Sequence, residues 1–239
     1  MPKRKDKNMT NTNIIAIDGP AGAGKGTLTK RLCEHYGFSG LDTGSLYRAI
    51  TLCLIQKRHD MANLDTDFAI QTTRELSDSH KILEYAKNPA IRSQLTNKYV
   101  ASVAKIPQIR EIMRAYQIEF AQNPPPLADG TPAKGAVIEG RDIGTVICPN
   151  APVKFFITAS PETRASRRLK EYLDQGESAS YQEVLASIIA RDEADRNRPT
   201  SPLKQADDAI LIDTSINNKD QTFETARKVI DSHMEMHLV

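Results

Sequence analysis

A glycine-rich run ending in lysine, Gly19-Pro20-Ala21-Gly22-Ala23-Gly24-Lys25-Gly26-Thr27, follows the apolar segment Ile14-Ile15-Ala16-Ile17. Glycine, four residues, then glycine and lysine lets successive backbone N–H groups curl around an anionic polyphosphate, with a helix N-terminus pointing at it. Lys25 can then reach across the terminal phosphates, which makes it a candidate catalytic cation. All nine residues are expected to bind the polyphosphate. The position after the lysine is Gly26, and the hydroxyl arrives one place later at Thr27. That spacing leaves two roles open for Thr27: direct ligation of magnesium, or contact with a phosphate.

A second group of charges follows another apolar run. Glu139-Gly140-Arg141-Asp142 comes after Ala136-Val137-Ile138, so these side chains should emerge at a strand end, the edge at which open α/β sheets bind ligands. Glu139 there could hold magnesium through water. Arg141 and Asp142 could also be a plain surface pair. Ser160-Pro161 marks a helix start, serine as cap and proline in the first turn. Arg164 and Arg168 then fall four apart on one face, with Arg167 beside them. Those arginines are either a solvated face or a mobile helix closing over a transferring phosphate, where one arginine is worth about 10³ to 10⁵ in rate. Arg191, Asp195 and Arg198 are spaced to stack on one side of a helix that Pro199 and Pro202 end. Asp192 and Arg196 read as a surface salt bridge. Surface pairs contribute under about 1 kcal/mol each, so an anionic substrate explains this charge density better than stability does.

The elements that must position these residues alternate. Strands are expected near 13–18, 38–42, 136–139, 153–158 and 209–213, and helices over 25–36, 43–57 and 224–236. That order is an α/β pattern, about five parallel strands flanked by helices. From 58 to about 128 the composition is polar and helical, and Asn123-Pro124-Pro125-Pro126 closes the stretch. The layout is therefore a core over 14–57 and 131–239, with an insertion at 58–130 that binds a second substrate or is purely structural. Thirty-two basic residues balance thirty acidic ones, net charge +2, which argues against a general nucleic-acid binder. Cys33, Cys53 and Cys148 are scattered and lack metal-ligand spacing, as expected of reduced, buried thiols in a cytoplasmic protein. The five histidines form no triad or ligand set. No apolar stretch approaches the roughly 18 residues that span a bilayer. Residues 1–13 are polar and basic, without the apolar core of a secretory signal, so a disordered tail is expected, and Met9 is an alternative start.

Taken together, the chain resembles the bacterial cytidylate kinases, within the P-loop nucleoside monophosphate kinase superfamily. The likeness rests on Gly-Pro-Ala-Gly-Ala-Gly-Lys-Gly-Thr (19–27), Leu-Asp-Thr-Gly-Ser-Leu-Tyr-Arg (41–48) and Ile-Pro-Gln-Ile-Arg (106–110). It continues through Glu-Gly-Arg-Asp-Ile-Gly-Thr-Val (139–146), Ala-Pro-Val-Lys (151–154) and Arg-Asp-Glu-Ala-Asp-Arg-Asn-Arg (191–198). The resemblance implies a P-loop kinase core with an inserted nucleoside monophosphate-binding subdomain and a short lid at about 164–180. It implies transfer of the γ-phosphoryl group of ATP to CMP or dCMP, with Mg2+, by a monomer. Arg48, Arg141 and Arg198 match positions that hold the acceptor phosphate, Arg191 and Asp195 those near its ribose, and Arg110 and Asp142 contacts to its base. Thr43 falls at another substrate-side position, and Arg164 and Arg168 fall in the lid. One departure is Ala101, where the family usually carries serine nine places before Arg110.

Base chemistry agrees independently. Cytosine offers an amino donor that the Asp142 carboxylate can accept, whereas uracil presents an acceptor there. Another small-acceptor P-loop kinase, such as an adenylate or shikimate kinase, is the alternative enzyme. A regulatory GTP switch needs Asn-Lys-x-Asp, and Asn218-Lys219-Asp220 lacks the spacer.

Overall fold

The computed structural model describes residues 13–57, 60–79, 81–174 and 176–236. The expected disordered tail therefore lies outside the described residues, Asn13 excepted, as do 58, 59 and 80 of the insertion and 175 of the expected lid.

Five parallel strands form one sheet: β1 (Ile14–Asp18), β2 (Ser39–Asp42), β3 (Ala136–Gly140), β4 (Val153–Thr158) and β5 (Ile210–Asp213), in the order β2-β3-β1-β4-β5. The β1 residues, Ile-Ile-Ala-Ile-Asp, are buried on both faces, which is why that run is continuously apolar rather than alternating. Residues of β1 nevertheless divide by parity. Ile14 and Ala16 join an apolar cluster with Leu41, Leu46, Ile50 and Met113, while Ile15 and Ile17 join another with Leu28, Leu32, Phe155 and Ile230.

Helices cover both faces. Helix α1 (Lys25–Tyr36) and the closing helix α9 (Lys219–Met236) pack on the second cluster. That closing helix starts at Lys219, five residues before the sequence-based expectation of 224, because Asn218 caps it: its Oδ1 accepts from the N–H groups of Asp220 and Gln221, both at 2.9 Å. Asn218-Lys219-Asp220 is thus a helix start. On the other face lie α2 (Thr43–Gln56), α3 (Thr66–Asp78), α4 (Lys81–Lys87), α5 (Gln94–Ala104) and α6 (Pro107–Gln122), with a short 3-10 turn at Pro89–Arg92. Ala69, Ile70, Leu76, Ile82, Ile109 and Phe120 from these helices share the first cluster with the sheet. A third, small cluster centred on Ala165, Val184 and Ile188 holds α7 (Pro161–Asp174) to α8 (Tyr181–Asn197). Cys53 and Cys148 are buried, Cys33 is half-buried, and all three are free thiols.

Because every strand runs the same way, Asp18, Asp42, Gly140, Thr158 and Asp213 all end at one edge of the sheet. The phosphate loop leaves the central strand there, where the strand order reverses, the usual ligand position in such sheets.

Candidate active site

The loop between β1 and α1 is held by close backbone approach. Gly19 has φ +147°, and a Cβ placed on it would lie 1.9 Å from the Ile157 carbonyl oxygen, so no side chain fits. Gly22 and Gly24 also take positive φ, and Gly24 is the N-cap of α1. Lys25 begins that helix, buried, and its Nζ donates to the carbonyls of Gly19 and Pro20 at 2.9 Å each. Thr214 Oγ1 braces the loop from the end of β5 by donating to Ala23 O at 2.8 Å. Thr27 is exposed on the first turn of α1.

Beside Lys25, the β3 end supplies Glu139, which is 5% exposed. Burial, reinforced by the nearby Asp42 carboxylate, raises the proton affinity of Glu139, while Lys25 and Arg141 oppose that rise. Burial, reinforced by the Arg141 guanidinium, lowers that of Lys25. A Cβ on Gly26 would lie 3.3 Å from Glu139 Oε1, so glycine after the lysine brings no side chain against this carboxylate from position 26. Thr43 Oγ1 donates to the Glu139 carbonyl at 2.8 Å, fixing the start of α2 against β3.

Arg141 and Asp142 are not a surface pair. Arg141 Nε donates to Asp195 Oδ2 at 2.8 Å, across to α8. The Asp142 carboxylate sits between Arg110 of α6, with Nη2 at 3.4 Å, and Arg198, with Nη2 at 3.8 Å. Arg198 itself departs from expectation. It lies one residue past α8 in extended backbone, not on the helix with Arg191 and Asp195, and its Nε donates to the Ser201 carbonyl. Pro199 follows immediately and disfavours helical geometry at Arg198.

Arg48 of α2 donates to Asn97 Oδ1 of α5. Burial and the like charges of Arg191 and Arg168 pull Arg48 down to about 10. Arg191 is lowered in the same way, by burial and then by Arg141. Four guanidinium groups thus repel one another at one edge, an arrangement that an anion relieves.

The expected surface bridge between Asp192 and Arg196 is absent. Asp192 is buried and takes the guanidinium of Arg164 at 3.0 and 2.5 Å, while Arg196 stays exposed. Arg164 is 2% exposed and also donates to Ala159 O at 2.9 Å and, from Nη1, to Ala21 O of the phosphate loop at 3.3 Å. A solvated face therefore does not describe Arg164. Arg167 reaches Thr214 at 3.0 and 2.7 Å, and Arg168 pairs with Glu171 at 3.0 Å. Ala101 is exposed on α5 and brings no hydroxyl to the site.

Sequence reasoning missed Asp18, Arg92 and Asn97. Arg92, on the 3-10 turn, acts electrostatically on both Arg48 and Glu139, and Asn97 accepts from Arg48 while donating to Arg92 O at 2.9 Å. No spacing signal marks those two. Asp18 carried one, a lone carboxylate closing an apolar strand directly before the loop.

The cytidylate kinase family model matches residues 15–232. A cytidylate kinase of Bradyrhizobium diazoefficiens is 48% identical over 202 residues, 84% of this chain and 88% of that protein. One from Nitrobacter winogradskyi is 43% identical over 219 residues, 92% and 96% of the two chains. Among solved structures, an uncharacterized protein from Eubacterium ventriosum shares the fold, with TM-score 0.52 and 18% identity over 92% of this chain and 99% of its own. The chain, with its phosphate loop and arginine-rich strand edge, belongs to the cytidylate kinase family.

Proposed function

We propose that the protein is an ATP-dependent cytidylate kinase, a phosphotransferase that moves the γ-phosphoryl group of ATP to CMP or dCMP and forms the diphosphate. The observation that carries this reading is the placement of Asp142, between Arg110 and Arg198, just past the end of the strand next to the one that launches the phosphate loop. The loop, with Lys25, grips the donor phosphates. Arg48, Arg141 and Arg198 take the acceptor phosphate, Arg191 and Asp195 its ribose, with Thr43 at the same edge. Arg110 and Asp142 take its base. Residues 58–130 serve as the monophosphate-binding subdomain and 164–180 as the lid, within a monomer. The three free thiols suit a reducing cytoplasm.

A loose, charge-rich transition state asks for positioning and cations more than for a strong base. Lys25 exchanges two neutral carbonyls for phosphate oxygens when the donor arrives. Arg164, already touching the loop carbonyl of Ala21, and Arg168, beside Arg48 and Arg191, close over the phosphates as α7 moves. Their closure excludes water and so prevents wasteful hydrolysis.

Magnesium fits the site. Glu139 offers hard carboxylate oxygens, Gly26 leaves space in front of them, and Asp42 lies close enough to act on Glu139 electrostatically. Glu139 would hold the ion through water, and the ion would supply charge neutralisation at the donor's terminal phosphates.

An ADP-release assay offering CMP, dCMP, UMP and AMP with ATP tests the proposal. CMP and dCMP are expected to turn over best. Faster turnover of AMP than of CMP would replace this reading with the adenylate kinase alternative.

A further inference from the structure

We propose that Asp18 is a positioning residue for base recognition, fixing the turn that carries Asp142 and so linking the phosphate loop to the choice of acceptor. This rests on the reading in which Asp142 meets the acceptor base.

Asp142 precedes a π-helical turn at Ile143–Ile147 and occupies its N-cap position, yet its side chain makes no cap hydrogen bond. The first N–H groups of a helix lack partners within it and need a cap. Here the cap comes from another strand. Asp18, 125 residues away in sequence, accepts the Ile143 N–H on Oδ1 at 2.8 Å and the Gly144 N–H on Oδ2 at 2.7 Å. Asp142 is therefore free to turn its carboxylate toward Arg110 and Arg198.

The fit is close. A Cβ on Gly144 would lie 3.4 Å from Asp18 Oδ2 and 3.2 Å from Lys154 Cδ. Asp18 is 3% exposed, pairs in register with Gly140 of β3, and directly precedes Gly19. One residue thus holds the first glycine of the donor loop at its backbone and the acceptor-reading turn at its side chain. A shift of that turn moves the Asp142 carboxylate relative to Arg110.

Asp18→Asn keeps one oxygen for Ile143 and sets an amide donor against the Gly144 N–H. The expected result in steady-state assays is a rise in KM for CMP of about tenfold, the usual scale for a hydrogen bond to a charged group. KM for ATP should move far less, and the CMP-to-UMP ratio of kcat/KM should fall. Gly144→Ala, which presses on the same contact, is expected to shift that ratio the same way and serves if Asp18→Asn folds poorly. Asp142→Asn runs alongside. If Asp142→Asn lowers the ratio while both other variants leave it at the wild-type value, or raise the two KM values equally, Asp18 does not position base recognition. If Asp142→Asn itself leaves the ratio unchanged, Asp142 does not read the base and the proposal about Asp18 falls with it.

Discussion

Arg164 grips both oxygens of Asp192, at 3.0 and 2.5 Å, with each side chain almost wholly out of water. The pair joins α7 to α8 above the phosphate loop. Removing one partner of a buried pair leaves an uncompensated charge, which costs about 3–5 kcal/mol. Asp192→Ala should therefore lower the unfolding free energy by that amount, read from the shift of the urea midpoint. The double variant Arg164→Met with Asp192→Leu should recover most of the stability but not the turnover, because only the second depends on a cation near Ala21. Full turnover in the double variant would reduce Arg164 to a structural tie.

Lys25→Met keeps the buried stem and deletes the charge. Loss of a preorganised cation or donor in a water-excluded site costs on the order of 10²–10³ in kcat. Turnover should fall by that factor, with circular dichroism unchanged. Near-normal kcat in the purified variant would contradict the assigned role.

Arg198→Ala removes a guanidinium that lies 3.8 Å from Asp142 and that the proposed function assigns to the acceptor phosphate. KM for CMP is expected to rise about 10- to 100-fold, the scale of a lost charged hydrogen bond, while KM for ATP stays close to wild type. Equal rises in both would place this residue between the substrates instead.

Gly26→Ala puts a methyl group 3.3 Å from Glu139 Oε1. Activity at saturating magnesium should drop only modestly, whereas the magnesium concentration for half-maximal rate should increase. A metal titration of the variant reads this directly. An unchanged half-maximal concentration would remove Glu139 from the metal's surroundings.

Burial is the main reason that the Asp18 carboxyl is pushed up to about 6. Asp142 adds to the rise, while the Gly144 and Ile143 N–H groups and Lys25 oppose it, and Cys148 lies near enough to feel the charge. The sign follows from proton binding. Between the ordinary carboxylate range near 4 and about 6, the folded chain holds more proton on Asp18 than the unfolded chain does, so this group's contribution to stability falls as pH rises through that window. Asp18→Asn removes the dependence. Its stability relative to wild type should improve as pH rises from 4 to 6.5, measured by urea unfolding. A constant difference would show that Asp18 titrates alike in both states.

Much of the architecture was legible along the chain. Strand 153–158 and helix 25–36 read directly, because Val153, Phe155, Phe156 and Ile157 make a short apolar run and a phosphate loop must end in a helix. Glycines, lysine and strand-end charges announced their chemistry by type and local spacing. Charge pairing did not. Asp192 looked like the partner of Arg196 four residues on, yet it turns inward to Arg164, since sequence spacing states which residues share a helix face but not what another helix brings against that face.

The same distinction separates what the amino-acid order determined from what only folding decided. Local order sets the turn of the phosphate loop, because glycines at 19, 22 and 24 supply the positive φ values it needs, and Ile157, Thr214 and Arg164 then pack against it. Pairings of Arg141 with Asp195, Asp142 with Arg110, and Asp18 with the 143–144 backbone join residues 54, 32 and about 125 positions apart. No local rule encodes such separations. They arise when parallel strands bring their ends to one edge and helices from both halves of the chain pack around it.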